Sequence, residues 1–161
     1  MTDARYELRP IGRVHVAEGG FLLHIDEAYR PALEGLEGFG HVVVVFWCHL
    51  ADVETHRTLL TCKRPYTNGP DRLGIFATRS PVRPNPIGIT PVPILRLDVD
   101  GGTIRVPFID VEDGTPILDL KPYQPSVDRI RDVRTPDWCA HWPQWSEDSA
   151  SFDWASEFNF A

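Results

Sequence analysis

The stretch GIFATRSPVRPNPIG, Gly74 to Gly88, sets two arginines in a loop that carries three prolines. A guanidinium is a planar fork that grips carboxylate or phosphate through paired hydrogen bonds. Pro81, Pro84 and Pro86 fix φ and remove backbone donors, so Arg79 and Arg83 are already ordered before any ligand arrives. Asn85 adds an amide that donates and accepts at once. The same residues also make a stiff turn in which both arginines cap carbonyls or pair with the chain's own carboxylates. Other chemistries have less behind them. The histidines (His15, His24, His41, His49, His56, His141) have no metal-ligand spacing, even when His49 and His56 are taken with Cys62. TRSP is not a GxSxG elbow, and no GxGxxG opens a βαβ unit. Cys48, Cys62 and Cys139 are odd in number and irregularly spaced, and read as reduced and structural.

Composition bounds the class. The chain has 161 residues, 42% hydrophobic and 24% charged, which fits one globular domain with a real core. No apolar run approaches the roughly 20 residues of a membrane span, and MTDARYELRP lacks an apolar signal core, so a cytoplasmic protein is expected. The net charge of −7 weighs against a nucleic-acid partner, but its distribution is uneven. Lys63, Arg64, Arg72, Arg79 and Arg83 stand against Asp71 alone, whereas residues 145–161 hold four acids and no base. A local face could therefore meet phosphates.

The elements that must position these groups are mostly strands. Tyr6 to Val16 and Phe21 to Ile25 read as strands, and Asp26 as the cap of a short helix reaching Leu33. HVVVVFWCHL, His41 to Leu50, reads as a central strand buried on both faces. Leu73 to Thr78 reads as a strand entering the arginine loop. Ile87 to Val99 reads as a long strand whose Pro91 and Pro93 confine it to an edge or a bulge. Asp100-Gly101-Gly102 reads as a hairpin turn leading into Thr103 to Ile109. Asp113 to Tyr123 reads as a turn and a short strand. Asp137 to Trp145 and Phe152 to Phe158 are candidate short helices whose tryptophans pack onto the body. The sum is a mostly β, single-domain β-barrel of six to eight strands over about residues 6–128. A short, partly helical, acidic and Trp-rich extension follows over about 129–161.

Three segments carry a resemblance. GIFATRSPVRPNPIG resembles one signature of the TsaA-like (TrmO, YaeB-like) family, DGTPILDLKPYQPSVD (Asp113 to Asp128) resembles its second, and LEGLEGFGHVVVVFWCHL (Leu33 to Leu50) is similar to its aromatic-ended strand. The resemblance implies a homodimeric β-barrel that binds S-adenosylmethionine. It implies methylation of the threonylcarbamoyl-modified adenosine beside the tRNA anticodon. It places His49, Leu50, Thr78, Arg79, Asp113, Gly114, Thr115 and Pro116 at the cofactor, and Arg83, Asn85, Lys121 and Tyr123 toward the substrate. From ligand spacing and the length of the apolar runs, neither a metal nor a membrane is expected. GRVHVAEGGFLLHID departs from the pattern, lacking the family's Ser-Pro and Pro-Arg-Gln, so a cofactor contact there is missing or replaced. The chain also ends before the additional C-terminal domain of larger members.

Methyl transfer from a sulfonium needs alignment more than acid catalysis, because the leaving group is neutral. Carboxylates and aromatic faces favour the cationic cofactor, with Asp113, Asp119 and Tyr123 as candidates. Arg79, Thr78 and the amides around Gly114 suit its carboxylate and ribose, and Leu50 and the segment near Ile89 suit its adenine. If the nucleophile must lose a proton, His49 and Asp119 are the candidate bases. Lys63, Arg64, Arg72 and Arg83 suit phosphates, with Tyr66 for stacking; the alternative is a basic face that pairs with the acidic tail. Two other functions compete: methylation of a small molecule, and a non-catalytic module that binds the cofactor.

Overall fold

The structure is a computed structural model that describes residues 6–159. The first five residues of MTDARYELRP and the last two of the C-terminal extension lie outside the described residues. The strands are β1 (Gly12–Ala17), β2 (Gly20–Ile25), β3 (His41–Trp47), β4 (Thr61–Lys63), β5 (Arg72–Gly74), β6 (Ile87–Pro93), β7 (Arg96–Asp98), β8 (Thr103–Val106) and β9 (Pro116–Pro122). The helices are single turns: α1 (Glu54–Arg57), α2 (Pro125–Asp128) and α3 (Trp154–Glu157). The chain divides into two compact units. The first joins the residues up to Val53 with Asn85–Arg129, and the second joins Glu54–Pro84 with the residues from Ile130 on.

The first unit is one antiparallel sheet in the order β6-β3-β9-β1-β2-β8-β7. Its core is aliphatic: Val14, Leu23, Ile25, Val42, Val44, Val92, Ile104, Val106, Ile109 and Ile117 are buried, with Phe46 among them. β3 is central, as its β-branched run predicts, but it is not buried on both faces. Val42, Val44 and Phe46 are buried, and the residues alternating with them are only half-buried or exposed. The period-2 pleat imposes this on any strand with a single core beneath it. Gly88 of β6 lies under Phe46, whose ring occupies the space a Cβ would need.

β9 is longer than the sequence suggests and lies between β3 and β1. Val45 pairs with Asp119, but Phe46 pairs with Ile117, so Leu118 is an extra residue in the ladder. This bulge changes the phase of the strand. Without it, strict alternation from buried Ile117 would turn Asp119 and Lys121 into the core. With it, Leu120 packs against the core and Asp119 and Lys121 point the other way.

The sequence predicts a barrel that is closed or nearly closed; among the described residues no ladder closes the sheet. Its edges, β6 and β7, are consecutive in the chain and linked through Ile94 and Leu95, yet no ladder joins them among the described residues. The chain does not turn back between them: after β6 the Leu95 amide donates to the Arg105 carbonyl of β8 (2.8 Å), so β7 carries on along the other end of the sheet. Cys48 donates to the Pro86 carbonyl (2.7 Å) and Ile94 to the Gly40 carbonyl (2.9 Å), so the even-numbered residues of β6 are the ones bonded to β3. Pro91 and Pro93 alternate with them. Their nitrogens face outward and offer nothing to a further strand.

The second unit holds the ribbon β4-β5 and a set of 3-10 turns. The strand expected over Leu73 to Thr78 stops at Gly74, and Ile75–Ala77 forms a 3-10 turn closed by Thr78 N–H on the Ile75 carbonyl (3.1 Å). The tail's aromatic rings pack on one another around Tyr66. Trp138 stacks on it at 5.1 Å, Trp142 meets it edge-on at 5.1 Å, and Phe158 lies 5.7 Å away.

Candidate functional site

The DGTP turn leads into β9 and is strapped to β1. Gly114 has φ 77°, a left-handed conformation that favours glycine. Its N–H donates to the Val14 carbonyl (2.8 Å), and Val14 N–H donates to the Thr115 carbonyl (2.9 Å). Buried Thr115 closes the turn, its N–H and its hydroxyl both donating to the Glu112 carbonyl (3.2 and 2.7 Å). The amides around Gly114, expected to serve a ligand, are therefore committed to the fold. What the turn presents is the Asp113 carboxylate. Its Oδ1 accepts Val16 N–H (2.9 Å), and the side chain is exposed.

Two β1 residues that sequence reasoning did not select stand at this turn. Arg13 donates to the Gly114 carbonyl (3.0 Å), and His15 Nδ1 lies 3.7 Å from Asp113 Oδ1. They alternate with buried Val14 in the very segment that lacks the family's Pro-Arg-Gln. Period-2 alternation in RVHV was the signal that both share one face.

His49 comes to the same turn from the end of β3. It opens the 3-10 turn His49–Ala51, and its Nδ1 lies 3.5 Å from the Thr115 hydroxyl. Leu50, beside it, is 66% exposed. The structure thus gathers His49, Leu50, Asp113, Gly114, Thr115 and Pro116 in the first unit.

Asp119 and Lys121 form a separate pair on the outward face of β9. Lys121 Nζ meets Asp119 Oδ2 at 2.8 Å, and this bond holds the ammonium above its usual pKa. No hydrogen bond connects Asp119 with His49 among the described residues. Tyr123 lies beyond the strand, its ring 6.1 Å from that of His41 and its N–H on the His41 carbonyl (3.1 Å). Asn85 is exposed, and its carbonyl accepts Ile87 N–H (2.7 Å).

Thr78, Arg79 and Arg83 belong to the second unit. The Thr78 hydroxyl is buried and donates to the Ile75 carbonyl (2.8 Å). Arg83 folds over its own loop: Nη1 donates to the Thr78 and Ser80 carbonyls, both at 3.3 Å, and the guanidinium lies 5.9 Å from the Phe76 ring centre. Arg79 extends exposed from the same loop. Tyr66 is not available for stacking on a base. It is buried in the aromatic cluster, and burial pushes its phenol above the usual pKa. The tail's acid nearest that cluster also turns inward. Glu157 is buried, with Oε1 2.8 Å from His141 Nε2 and Oε2 accepting Trp142 Nε1–H (3.0 Å). The His141 bond is the larger cause, and the Trp142 bond the next, of a carboxyl held below its ordinary pKa. No cluster of three metal-ligating side chains occurs among the described residues.

The tRNA-methyltransferase O N-terminal domain family matches residues 7–129. A probable S-adenosyl-L-methionine-binding protein of Methanothermobacter thermautotrophicus is 35% identical over 144 residues, covering 81% of this chain and 98% of that one. The tRNA (adenine(37)-N6)-methyltransferase of Escherichia coli is 36% identical over 129 residues, 78% of this chain and 53% of the enzyme. A crystal structure of TrmO superposes with a TM-score of 0.64 at 29% identity, covering 82% of this chain and 64% of that one. TrmO from Pseudomonas aeruginosa gives 0.61 at 29% identity, covering 81% and 62%. This chain thus spans about half of the E. coli enzyme and nearly all of the Methanothermobacter protein. A match that runs unbroken from β1 through the arginine loop and the DGTP turn to the end of β9 makes this chain a member of the tRNA-methyltransferase O N-terminal domain family.

Proposed function

We propose that this chain is an S-adenosylmethionine-dependent methyltransferase that modifies the N6 amino group of an adenosine beside the tRNA anticodon. The family match over residues 7–129 carries the reading. The threonylcarbamoyl-modified adenosine is the acceptor that the family signatures imply. When bound, the cofactor supplies an electrophilic methyl on a cationic sulfonium. The donor set at the DGTP turn fits such a ligand: an exposed carboxylate (Asp113), an imidazole (His49) and an exposed aliphatic chain (Leu50) suit its positive charge, its hydroxyls and its adenine. His15, 3.7 Å from Asp113, stands where the departing N-terminal segment has to supply a contact. Thr78 and Arg79 are also proposed for the cofactor, Arg79 as a fork for the methionyl carboxylate. Arg83, Asn85, Lys121 and Tyr123 are proposed for the substrate. His49 and Asp119 are the proposed bases; Asp119 already holds Lys121, and His49 does not form an ion pair among the described residues.

The test is incubation with methyl-labelled S-adenosylmethionine and unfractionated tRNA, followed by digestion and mass spectrometry of the nucleosides. Label on an N6-methylated adenosine is the expected result, and label that stays out of RNA overturns the reading. A second reading, a cofactor-binding module without transfer to RNA, is favoured by one observation. The relative of nearly the same length bears only a cofactor-binding name. Micromolar cofactor binding with no methylated nucleoside would select it or a small-molecule acceptor. We also propose a homodimer in the cytoplasm. Its support is the family resemblance and the half-covered aliphatic face of Val43, Val45 and Ile89, and a monomer by light scattering would count against it. No helix among the described residues is long and apolar enough to cross a membrane.

A further inference from the structure

The ribbon β4-β5 sets Lys63 directly opposite Arg72. Like charges facing each other across a strand pair destabilise it. Both side chains are exposed, and neither makes an ion pair among the described residues. Arg64 follows at φ 39°, its guanidinium on the Thr67 carbonyl (3.4 Å). This is a chain with 23 acids against 16 lysines and arginines, so counter-charges are plentiful. Among the described residues none of them forms an ion pair with Lys63 or Arg72, not even the neighbouring Asp71. Glu157 is turned onto His141 and Trp142, and the Asp153 carboxylate accepts the Ser156 amide.

The backbone that carries the cations is also tied down. The turn after β4 is tied to the C-terminal segment by Thr67 N–H on the Glu157 carbonyl (2.9 Å), Asn159 N–H on the Pro65 carbonyl (3.0 Å) and Asn159 Nδ2 on the Arg64 carbonyl (2.9 Å). Tyr66 fixes its centre in the aromatic cluster. The face that carries Lys63 and Arg72 otherwise bears Thr61 and Gly74 and has no apolar side chain to insert in a bilayer.

We infer that this ribbon is a docking element for the phosphodiester backbone of RNA, with Lys63 and Arg72 as its paired contacts and the Trp-rich tail as its buttress. The choice of RNA rests on the reading of the chain as a tRNA methyltransferase. A phosphate between the two cations removes their repulsion and releases condensed counterions, so binding must weaken with salt.

The experiment measures tRNA binding by fluorescence anisotropy across about 50 to 200 mM salt. It uses the full chain, the double variant Lys63→Thr with Arg72→Thr, and the swap Lys63→Arg with Arg72→Lys. Losing two phosphate contacts should lower the slope of log affinity against log salt by roughly 1.4 to 1.8. Affinity at the lowest salt should fall at least tenfold, and the swap should retain the parent slope. Cofactor titration and thermal unfolding, run in parallel, should show unchanged cofactor affinity and an unchanged or higher Tm for the double variant. Parent affinity and slope in the double variant overturn the inference, as does the absence of salt-dependent tRNA binding by the parent chain. Methyl transfer to tRNA is read separately. Ribbon-dependent binding without transfer leaves this inference standing and removes the methyltransferase reading. Transfer with an unchanged KM for tRNA in the double variant does the reverse.

Discussion

Gly114 and Gly88 are irreplaceable for different physical reasons, and alanine separates them. At Gly114 an added Cβ has open space but inherits φ 77°. Gly114→Ala should therefore cost about 1–2 kcal/mol, the strain of one left-handed residue. At Gly88 the backbone is ordinary, but the Phe46 ring blocks the methyl, so Gly88→Ala should cost about 1–3 kcal/mol through overpacking of the sheet core. Urea unfolding of both variants checks the values. Cofactor affinity should fall in Gly114→Ala, where the Asp113 carboxylate moves with the turn, and hold in Gly88→Ala. Glu157 makes a pH prediction. A carboxyl held below its ordinary 4.5 contributes stability that is fully present above that value and is lost as pH falls through its lower folded value. The carboxylate can only accept, so His141 Nε2 carries the proton between them. Tryptophan fluorescence should report loosening of the second unit in acid below about pH 4.5, and Glu157→Gln should be weaker at neutral pH with a flatter acid limb. DGTP was legible as a turn because its residue types force one. That its amides are already bonded was not legible, since their acceptors include Val14, far away in the sequence.

The bulge in β9 decides which side chains reach solvent. PILDLKP contains its own clue, because the adjacent Ile117 and Leu118 break an otherwise regular alternation. Deleting Leu118 would remove the extra residue and leave a regular ladder, with Ile117 and Leu120 still on the core face and Asp119 and Lys121 still outward. The expected outcome is a cooperative unfolding transition that survives in urea, since no charge is driven into the core; its loss would mean that the bulge itself is required. Replacing Leu118 by Ala keeps the phase and should leave a cooperative transition. Edge placement of the Pro91–Pro93 segment, the Asp100–Gly102 turn and the centrality of β3 were legible from residue type. The end of β5 at Gly74 was not: the apolar residues that follow suit a strand, and the hydrogen bond from Thr78 to Ile75 selects a 3-10 turn instead.

At the scale of the molecule, the chain makes two cores of unlike chemistry, an aliphatic one under the sheet and an aromatic one around Tyr66. Tyr66→Ala should cost roughly 3–5 kcal/mol, the range for truncating large buried aromatics. Near-UV circular dichroism of the tryptophans should collapse, while the far-UV signal of the seven-stranded sheet remains. Composition made the tail visible as acidic and aromatic. It could not reveal that the aromatics gather on a tyrosine about 70 residues away in sequence while Glu157 turns inward, because both facts depend on tertiary pairing alone. The outward prolines of β6 have one more effect, on molecules in a crowded solution. A neighbouring chain that tried to extend the sheet at this edge would find no N–H at residues 91 and 93, and the Ile87 amide already given to Asn85. Templated growth of fibrils is thereby blocked on that side. An edge so armed is a poor seed for others.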